Sequence, residues 1–230
     1  MGTDLGTIDV PHGSAVIDVR GGDGFDVALF LRGQAVAPSW LDCKGSVAQY
    51  LAWSGRTDVA SDLAAVRDAL GGEDAERVID LPDLQPVLDL FAPGRYQLFY
   101  TAAAPDADCL EYNPASAPSD RWCGYYPNFR PLVTIQPVAT LNFERVEHFA
   151  ERIRAGKRPV VLTATAPDTW CEFVVDGHHK LRAYRNTKVP PRIVSIVRTD
   201  APPLPANTFD THFGANHPLA AEYRNNKFDR

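Results

Sequence analysis

Cysteine is scarce in this chain, and its spacing excludes a common class of metal site. The four cysteines are Cys43, Cys109, Cys123 and Cys171, and no two of them form a Cys-x-x-Cys pair. A zinc ribbon is built on such pairs, so we do not expect one. Nothing in the sequence indicates an oxidising compartment, although Cys109 and Cys123 are able to pair across a loop. We therefore expect reduced thiols and a cytoplasmic protein.

Long apolar runs and an excess of positive charge are also missing. No stretch of the sequence is long and apolar enough to span a bilayer, and the chain does not start with a basic segment followed by an apolar run. We therefore expect no membrane partner and no signal peptide. The formal net charge of −6 disfavours nucleic acid as a partner, because broad electrostatic binding needs a basic face. The oligomeric state does not follow from composition.

The chain has enough hydrophobic residues to form a globular core. The 230 residues are 45% hydrophobic and 23% charged, which is ordinary for a folded domain of this length. The order of apolar and polar stretches predicts an α+β fold. We expect an N-terminal α+β region over residues 1–130, a mixed α/β domain over residues 131–200 and a polar, proline-rich tail over residues 201–230.

In the N-terminal region, hydrophobic periodicity predicts both strands and helices. Strands over residues 14–20 and 25–32 flank a Gly-Gly-Asp-Gly sequence, which is typical of a hairpin turn. Three short helices are predicted further along, starting at the capping residues Ser46 and Ser61 and at Asp83, with Pro86 in the first turn of the third.

The last part of this region combines a strand with a long irregular stretch. Residues 96–100 are apolar and aromatic and predict a strand. Residues 104–130 are rich in proline, aspartate and aromatic side chains. A stretch of this length inside a folded domain is often functional, so we keep two interpretations, a substrate-contacting lid and a loop packed on the surface.

From residue 131 onward, strands and helices are predicted to alternate. Asn142 is a favourable N-cap, and apolar residues recur at helical spacing after it until Gly156. Strands are predicted over residues 132–135, 159–162, 170–175 and 192–197.

Residues 175–180, Val-Asp-Gly-His-His-Lys, carry the strongest functional signal. An apolar, β-branched run precedes them and good helix formers follow, which predicts a strand, a tight turn and the first turn of a helix. The free N–H groups at a helix start favour an anion, as does the helix dipole. The sequence therefore predicts a phosphate-binding turn. The alternative is an ordinary Asp-Gly turn followed by solvated histidines.

Each polar residue of this turn has a predicted role. Gly177 lets a ligand approach the backbone, and His178, His179 and Lys180 supply donors and positive charge to phosphate groups. Asp176 is the candidate catalytic base and Mg²⁺ ligand. His178 is a further catalytic candidate.

Candidates outside the turn are weaker. Arg182 is a further phosphate ligand, and Glu144 and Glu147 are carboxylates able to complete a catalytic site, with a solvated helix face as the alternative for both. Lys157 and Arg158 are basic neighbours of a predicted strand, for which surface solvation is the favoured role. In the tail, three residues resemble loosely spaced metal ligands but match no standard site: Asp210, His212 and His217.

The order of elements over residues 131–198, together with the turn, resembles the ParB/sulfiredoxin-like superfamily. The matching stretch, residues 173–184, is similar to that family's Asp-Gly-His-His-Arg-Leu-x-Ala box, which binds the phosphates of a nucleotide. Members include CTP-binding partition proteins, sulfiredoxin and free serine kinases. The resemblance implies a ParB/sulfiredoxin-like fold for residues 131–200, with ATP or another nucleotide and Mg²⁺ as cofactors.

The chain departs from the family pattern at three points. His178 stands where sulfiredoxin needs a cysteine, which excludes sulfiredoxin chemistry. Lys180 replaces the family's arginine, keeping the charge and losing the bidentate fork, a loss for which Arg182 or Arg185 can compensate. The short sequence after the box leaves no room for the helix-turn-helix domain of partition proteins, so a partition function is not expected.

Three functional hypotheses follow. The first is a nucleotide-dependent enzyme, a small-molecule phosphotransferase (kinase) or ATPase that acts on an unidentified small-molecule acceptor. The second is a non-catalytic regulatory module that binds a nucleotide. The third is a nuclease-like protein, which the net charge disfavours.

Overall fold

The computed structural model describes residues 2–21, 26–42, 48–51, 53, 58–71, 81–102, 109–111, 122–124 and 131–228. Its strands are β1 (Thr3–Val10), β2 (Ile17–Gly21), β3 (Val27–Leu31), β4 (Gln34–Asp42), β5 (Ala48–Leu51), β6 (Gly94–Ala102), β7 (Cys109–Leu110), β8 (Trp122–Gly124), β9 (Leu132–Thr134), β10 (Val160–Thr165), β11 (Glu172–Asp176) and β12 (Arg192–Arg198). Its helices are α1 (Val59–Ala69), α2 (Leu81–Leu88), α3 (Phe143–Arg154), α4 (His178–Thr187), α5 (Thr208–Phe213) and α6 (Pro218–Phe228).

The predicted α+β class is confirmed. Within the described ranges, no helix is long and apolar enough to cross a membrane.

The larger sheet has seven strands in the order β1-β6-β12-β10-β11-β9-β7. Strands β10 and β12 run parallel, as do β11, β9 and β7, while the remaining neighbours are antiparallel. Strands β1 and β6 come from before residue 131, so the sheet is continuous across the predicted boundary at residue 130. The division of the chain at residues 130 and 200 remains a prediction.

The smaller sheet has five antiparallel strands in the order β2-β3-β4-β5-β8. The pairing of β2 with β3 confirms the predicted hairpin, whose turn residues 22–25 lie outside the described part of the chain. The helix predicted after Ser46 is wrong, because β5 occupies this position and pairs with both β4 and β8. The hydrophobic pattern of a short segment is compatible with either a helix or a strand. Here, pairing with two neighbouring strands stabilises the strand. Ser46 itself is outside the described residues.

The other predicted helices are confirmed, two of them with shifted starts. Helix α1 begins before Ser61, whose hydroxyl donates to the carbonyl of Asp58 instead of capping the helix. Helix α2 begins before Asp83, so that Pro86 lies inside it. Helix α3 begins as predicted, since the Asn142 side chain accepts a hydrogen bond from the backbone N–H of Arg145.

The two faces of the larger sheet bury different cores. Along β10, Val160 and Leu162 belong to the core shared with the smaller sheet, α1 and α2. Val161 belongs instead to a second core beneath α3 and α4, with Phe149 and Leu181. This alternation follows from the pleat of a strand that is covered on both faces.

The C-terminal segment forms a third core, which the sequence analysis did not predict. Phe209 of α5 and Tyr223 of α6 pack against Trp40 of β4, with ring centroids 4.6 and 6.1 Å from the tryptophan. The segment predicted as a polar, proline-rich tail therefore also contributes to a core, because isolated aromatic residues are sufficient when a tryptophan on a distant strand packs against them. Most of residues 104–130, with the proposed lid, lies outside the described residues.

Candidate anion-binding pocket

The turn between β11 and α4 adopts the predicted strand, tight turn and helix start. Gly177 is the N-cap of α4 and has a φ of +99°, a left-handed backbone conformation that residues other than glycine rarely adopt. A Cβ atom at this position would lie 3.2 Å from Cα and from Cγ2 of Val161 on β10. The glycine is therefore required by both the backbone angle and the close approach of the neighbouring strand.

We expect Gly177→Ala to lower the free energy of unfolding by about 1–3 kcal/mol, through backbone strain and contact with Val161. The matched control is Gly156→Ala, at a residue with a φ of +88° where an added Cβ has no neighbour within 4 Å. Urea unfolding of both variants separates the two contributions. If Gly177→Ala lowers the free energy of unfolding no more than Gly156→Ala does, the contact with Val161 adds nothing to the cost of the left-handed backbone angle.

His178, the first residue of α4, is 4% exposed. Its Nε2 accepts hydrogen bonds from the backbone N–H groups of Ile135 and Gln136, at 3.2 and 3.3 Å. Burial lowers the pKa of His178 to about 3, so the imidazole is neutral and carries its proton on Nδ1. The neutral imidazole therefore supplies an N–H donor, on Nδ1, in place of the positive charge expected from the sequence.

His179 links the starts of two helices. Its Nε2 accepts a hydrogen bond from the backbone N–H of Asn142, the N-cap of α3, at 3.1 Å. The same asparagine caps α3 through its side chain. The histidine therefore fixes the beginning of α3 beside the beginning of α4.

Lys180 does not point at the turn as a free phosphate ligand. Its Nζ lies 2.7 Å from Oδ2 of Asp176 and 3.0 Å from the carbonyl oxygen of Val160, and its side chain is 6% exposed. The ammonium neutralises the Asp176 carboxylate and ties α4 to β10 and β11. We therefore correct the predicted role of Lys180 from ligand binding to support of the turn.

The candidates outside the turn also have other partners. Arg182 and Arg185 both pair with Oε2 of Glu111, at 2.7 and 2.6 Å, and Arg182 does not line the pocket described below. Glu144 and Glu147 are exposed on α3, and Glu147 pairs with Arg154 at 2.6 Å. The described structure therefore does not bring either glutamate to the turn.

Two of the three predicted tail ligands have other contacts. Asp210 forms an ion pair with Arg224, and the ring of His217 stacks on Phe213. The side chain of His212 lies outside the described part of the structure. Among the residues that are described, no group of three histidine, cysteine, aspartate or glutamate side chains is placed to hold a metal ion.

A pocket of about 110 Å³ lies at the start of α4. Four elements form its wall: one face of α1, the loop before α3, the first turn of α3, and the β11–α4 turn. Two arginines line it, Arg67 of α1 and Arg145 of α3. Among the described residues, the lining consists of Ala60, Leu63, Ala64, Arg67, Gln136, Arg145, Val175, Asp176, Gly177, His178 and His179.

The charge of the wall favours an anion. Asp176 is the one carboxylate among the described lining residues, and Lys180 pairs with it. Arg67 and Arg145 therefore line a pocket whose described carboxylate is already neutralised, at the N–H groups of a helix start. Sequence analysis missed both arginines because nothing local marks them. Arg67 belongs to the N-terminal region, whose role the sequence left open, and only the packing of α1 beside β11 brings it to the turn.

No family model, curated protein or solved structure matches this chain. The residues of the pocket are therefore the basis for a functional conclusion.

Proposed function

We propose that this chain binds a nucleotide, ATP or a relative, through its phosphates in the pocket at the start of α4, and that it transfers or hydrolyses the terminal phosphoryl group. The observation that carries the proposal is the convergence of Arg67, Arg145 and His178 on one small pocket at a helix start. Guanidinium groups and aligned N–H donors are the groups with which proteins bind phosphate. The proposal includes a ParB/sulfiredoxin-like fold for residues 131–200.

The size of the pocket indicates which part of a nucleotide it holds. Pockets that enclose drug-sized ligands measure about 300–1,000 Å³. At about 110 Å³, this pocket has room for a phosphoryl group but not for a nucleoside. The sugar and base are therefore expected to lie outside it.

Phosphoryl transfer requires mainly positioning and neutralisation of charge. The arginines and the His178 N–H hold the phosphoryl oxygens, and the partly exposed Asp176 is the carboxylate at the pocket wall. A Mg²⁺ ion is commonly bound by one or two carboxylates together with substrate phosphates, so Asp176 fits as its protein ligand. The ion would supply further charge neutralisation, and the small-molecule acceptor is not identified.

One observation favours a non-catalytic regulatory module as the second candidate. Asp176 is held by Lys180, and the other predicted carboxylates, Glu144 and Glu147, lie outside the pocket. The described pocket therefore lacks a second carboxylate to act as a general base. Nothing in the described residues favours the nuclease-like hypothesis.

We expect Arg145→Ala to weaken nucleotide binding by about 10–100-fold, because a charged hydrogen bond contributes about 1.5–3 kcal/mol. The measurement is a thermal-shift and calorimetric titration with ATP, CTP and GTP, with and without Mg²⁺. A nucleotide at about a hundred times its dissociation constant should stabilise the protein by about 2.7 kcal/mol.

The matched control is Arg154→Ala, which removes an exposed arginine from the same helix outside the pocket. Equal losses for both variants, or no stabilisation by any nucleotide, would contradict the proposed site. Release of ADP or phosphate distinguishes the enzyme from the regulatory module.

A further inference from the structure

Arg67 is the pocket residue that comes from the N-terminal region of the chain. Ala60, Leu63, Ala64 and Arg67 recur at helical spacing, so one face of α1 forms the wall opposite the turn. The two alanines leave space, and the arginine lies at the end of this face. Helix α1 is held there by its own buried residues, Val59 and Val66 among them.

We infer that the pocket selects a terminal, dianionic phosphate group, and that Arg67 is the residue that determines this specificity. The inference rests on the proposed function, which it makes more specific. It names the class of ligand as phosphate monoesters and terminal phosphoryl groups. Phosphodiesters, including the backbone of nucleic acids, are excluded.

The first argument is the donor set. The pocket contains two guanidinium groups, while its carboxylate is already paired with Lys180. Two positive groups match the two negative charges of a monoester better than the single charge of a diester. Arg67 is half-exposed and lies 3.5 Å from the exposed carboxylate of Asp68, a contact too long and too solvated to hold it away from a ligand.

The second argument is the buried imidazole. His178 is more than nine-tenths buried and lines the pocket, its Nε2 accepts from two backbone amides, and its other ring nitrogen, Nδ1, carries the proton. A buried N–H group is normally satisfied by an acceptor. An oxygen atom of the ligand provides that acceptor, and phosphate oxygens also accept from both arginines.

The third argument is shape. A diester has an organic substituent on two of its four oxygens, whereas a monoester has one. A pocket of about 110 Å³ accommodates the three free oxygens of a monoester with its single substituent directed outward. A diester has a second substituent to accommodate, for which a pocket of this size leaves less room.

The test is calorimetry on the full chain with three small probes: phenyl phosphate, diethyl phosphate and sulfate. Phenyl phosphate should bind at pH 8, and diethyl phosphate at least about tenfold more weakly. Arg67→Ala should weaken phenyl phosphate binding by about tenfold or more, and Arg67→Lys by less, since lysine keeps the charge without the fork. Arg154→Ala is the control and should change the affinity by less than about twofold.

The dependence on pH gives a second measurement. The second pKa of a phosphate monoester is about 6, so its dianionic fraction rises about tenfold from pH 5 to pH 8, and the affinity for phenyl phosphate should rise with it. Sulfate remains dianionic over this range and reports any titration of the protein itself. The charged and titratable groups that face the ligand are Arg67, Asp68, Arg145, Asp176, His178, His179 and Lys180. Protonation of a histidine would strengthen sulfate binding as the pH falls, whereas the affinity for phenyl phosphate should decrease.

The outcomes separate this inference from the proposed function. Diethyl phosphate binding as tightly as phenyl phosphate, or Arg67→Ala binding like the unmodified chain, would overturn the inference, even if ATP still binds through Arg145. Phenyl phosphate binding that depends on Arg67, in a chain that neither binds nor turns over nucleotides, would support the inference and overturn the proposed function.

Discussion

The substitution Lys180→Met is expected to lower the free energy of unfolding by about 3 kcal/mol or more. It removes the ammonium 2.7 Å from Oδ2 of Asp176 and leaves a largely buried carboxylate without its partner. Loss of one member of a buried ion pair is costly because the other charge remains desolvated. The bond from Nζ to the carbonyl of Val160, at 3.0 Å, is lost as well. Urea unfolding at pH 7 measures the change.

Two further variants test this explanation. Adding Asp176→Asn to Lys180→Met removes the carboxylate charge that has lost its partner, and should restore a large part of the lost stability. Lys157→Met removes an exposed lysine and should change stability by less than about 0.5 kcal/mol. A Lys180→Met protein that unfolds like the unmodified chain but no longer binds nucleotide would instead assign Lys180 to the ligand, as the sequence predicted.

Acidification from pH 7 to pH 4 is expected to remove about 3 kcal/mol of stability through His178 alone. Its folded-state pKa of about 3 lies below the ordinary value of 6.5, because burial disfavours the charged form. The unfolded chain therefore binds a proton first as the pH falls. The contribution of His178 is fully present above about pH 6.5, decreases below it, and is lost once the pH falls through about 3.

The variant His178→Gln isolates this contribution. Glutamine does not titrate, and its carbonyl oxygen is able to accept from the amides of Ile135 and Gln136. The difference in unfolding free energy between the unmodified chain and the variant should shrink by about 3 kcal/mol from pH 7 to pH 4. His148→Gln, which removes an exposed histidine from α3, is the control for loss of a histidine. A difference that stays constant with pH would show that His178 is already accessible to protons.

Local sequence signals predicted the secondary structure around the candidate site well. Asn142 begins α3 as expected, and Gly177 provides the left-handed residue between β11 and α4. Both signals act over a few residues, through a capping hydrogen bond and a backbone angle. The same method failed for β5, where a four-residue segment carries no local signal strong enough to separate helix from strand.

Local sequence patterns are sufficient to predict a strand, a glycine turn and a helix start that carry Asp176, two histidines and Lys180. The roles of these residues follow from how distant elements pack around them. Burial makes His178 a neutral donor, the ion pair with Asp176 makes Lys180 a support, and the packing of α1 brings Arg67 to the turn. The physical reason is that backbone conformation depends on near neighbours in the chain. Charge state and ligand contacts depend on desolvation and distance, which elements remote in sequence set together.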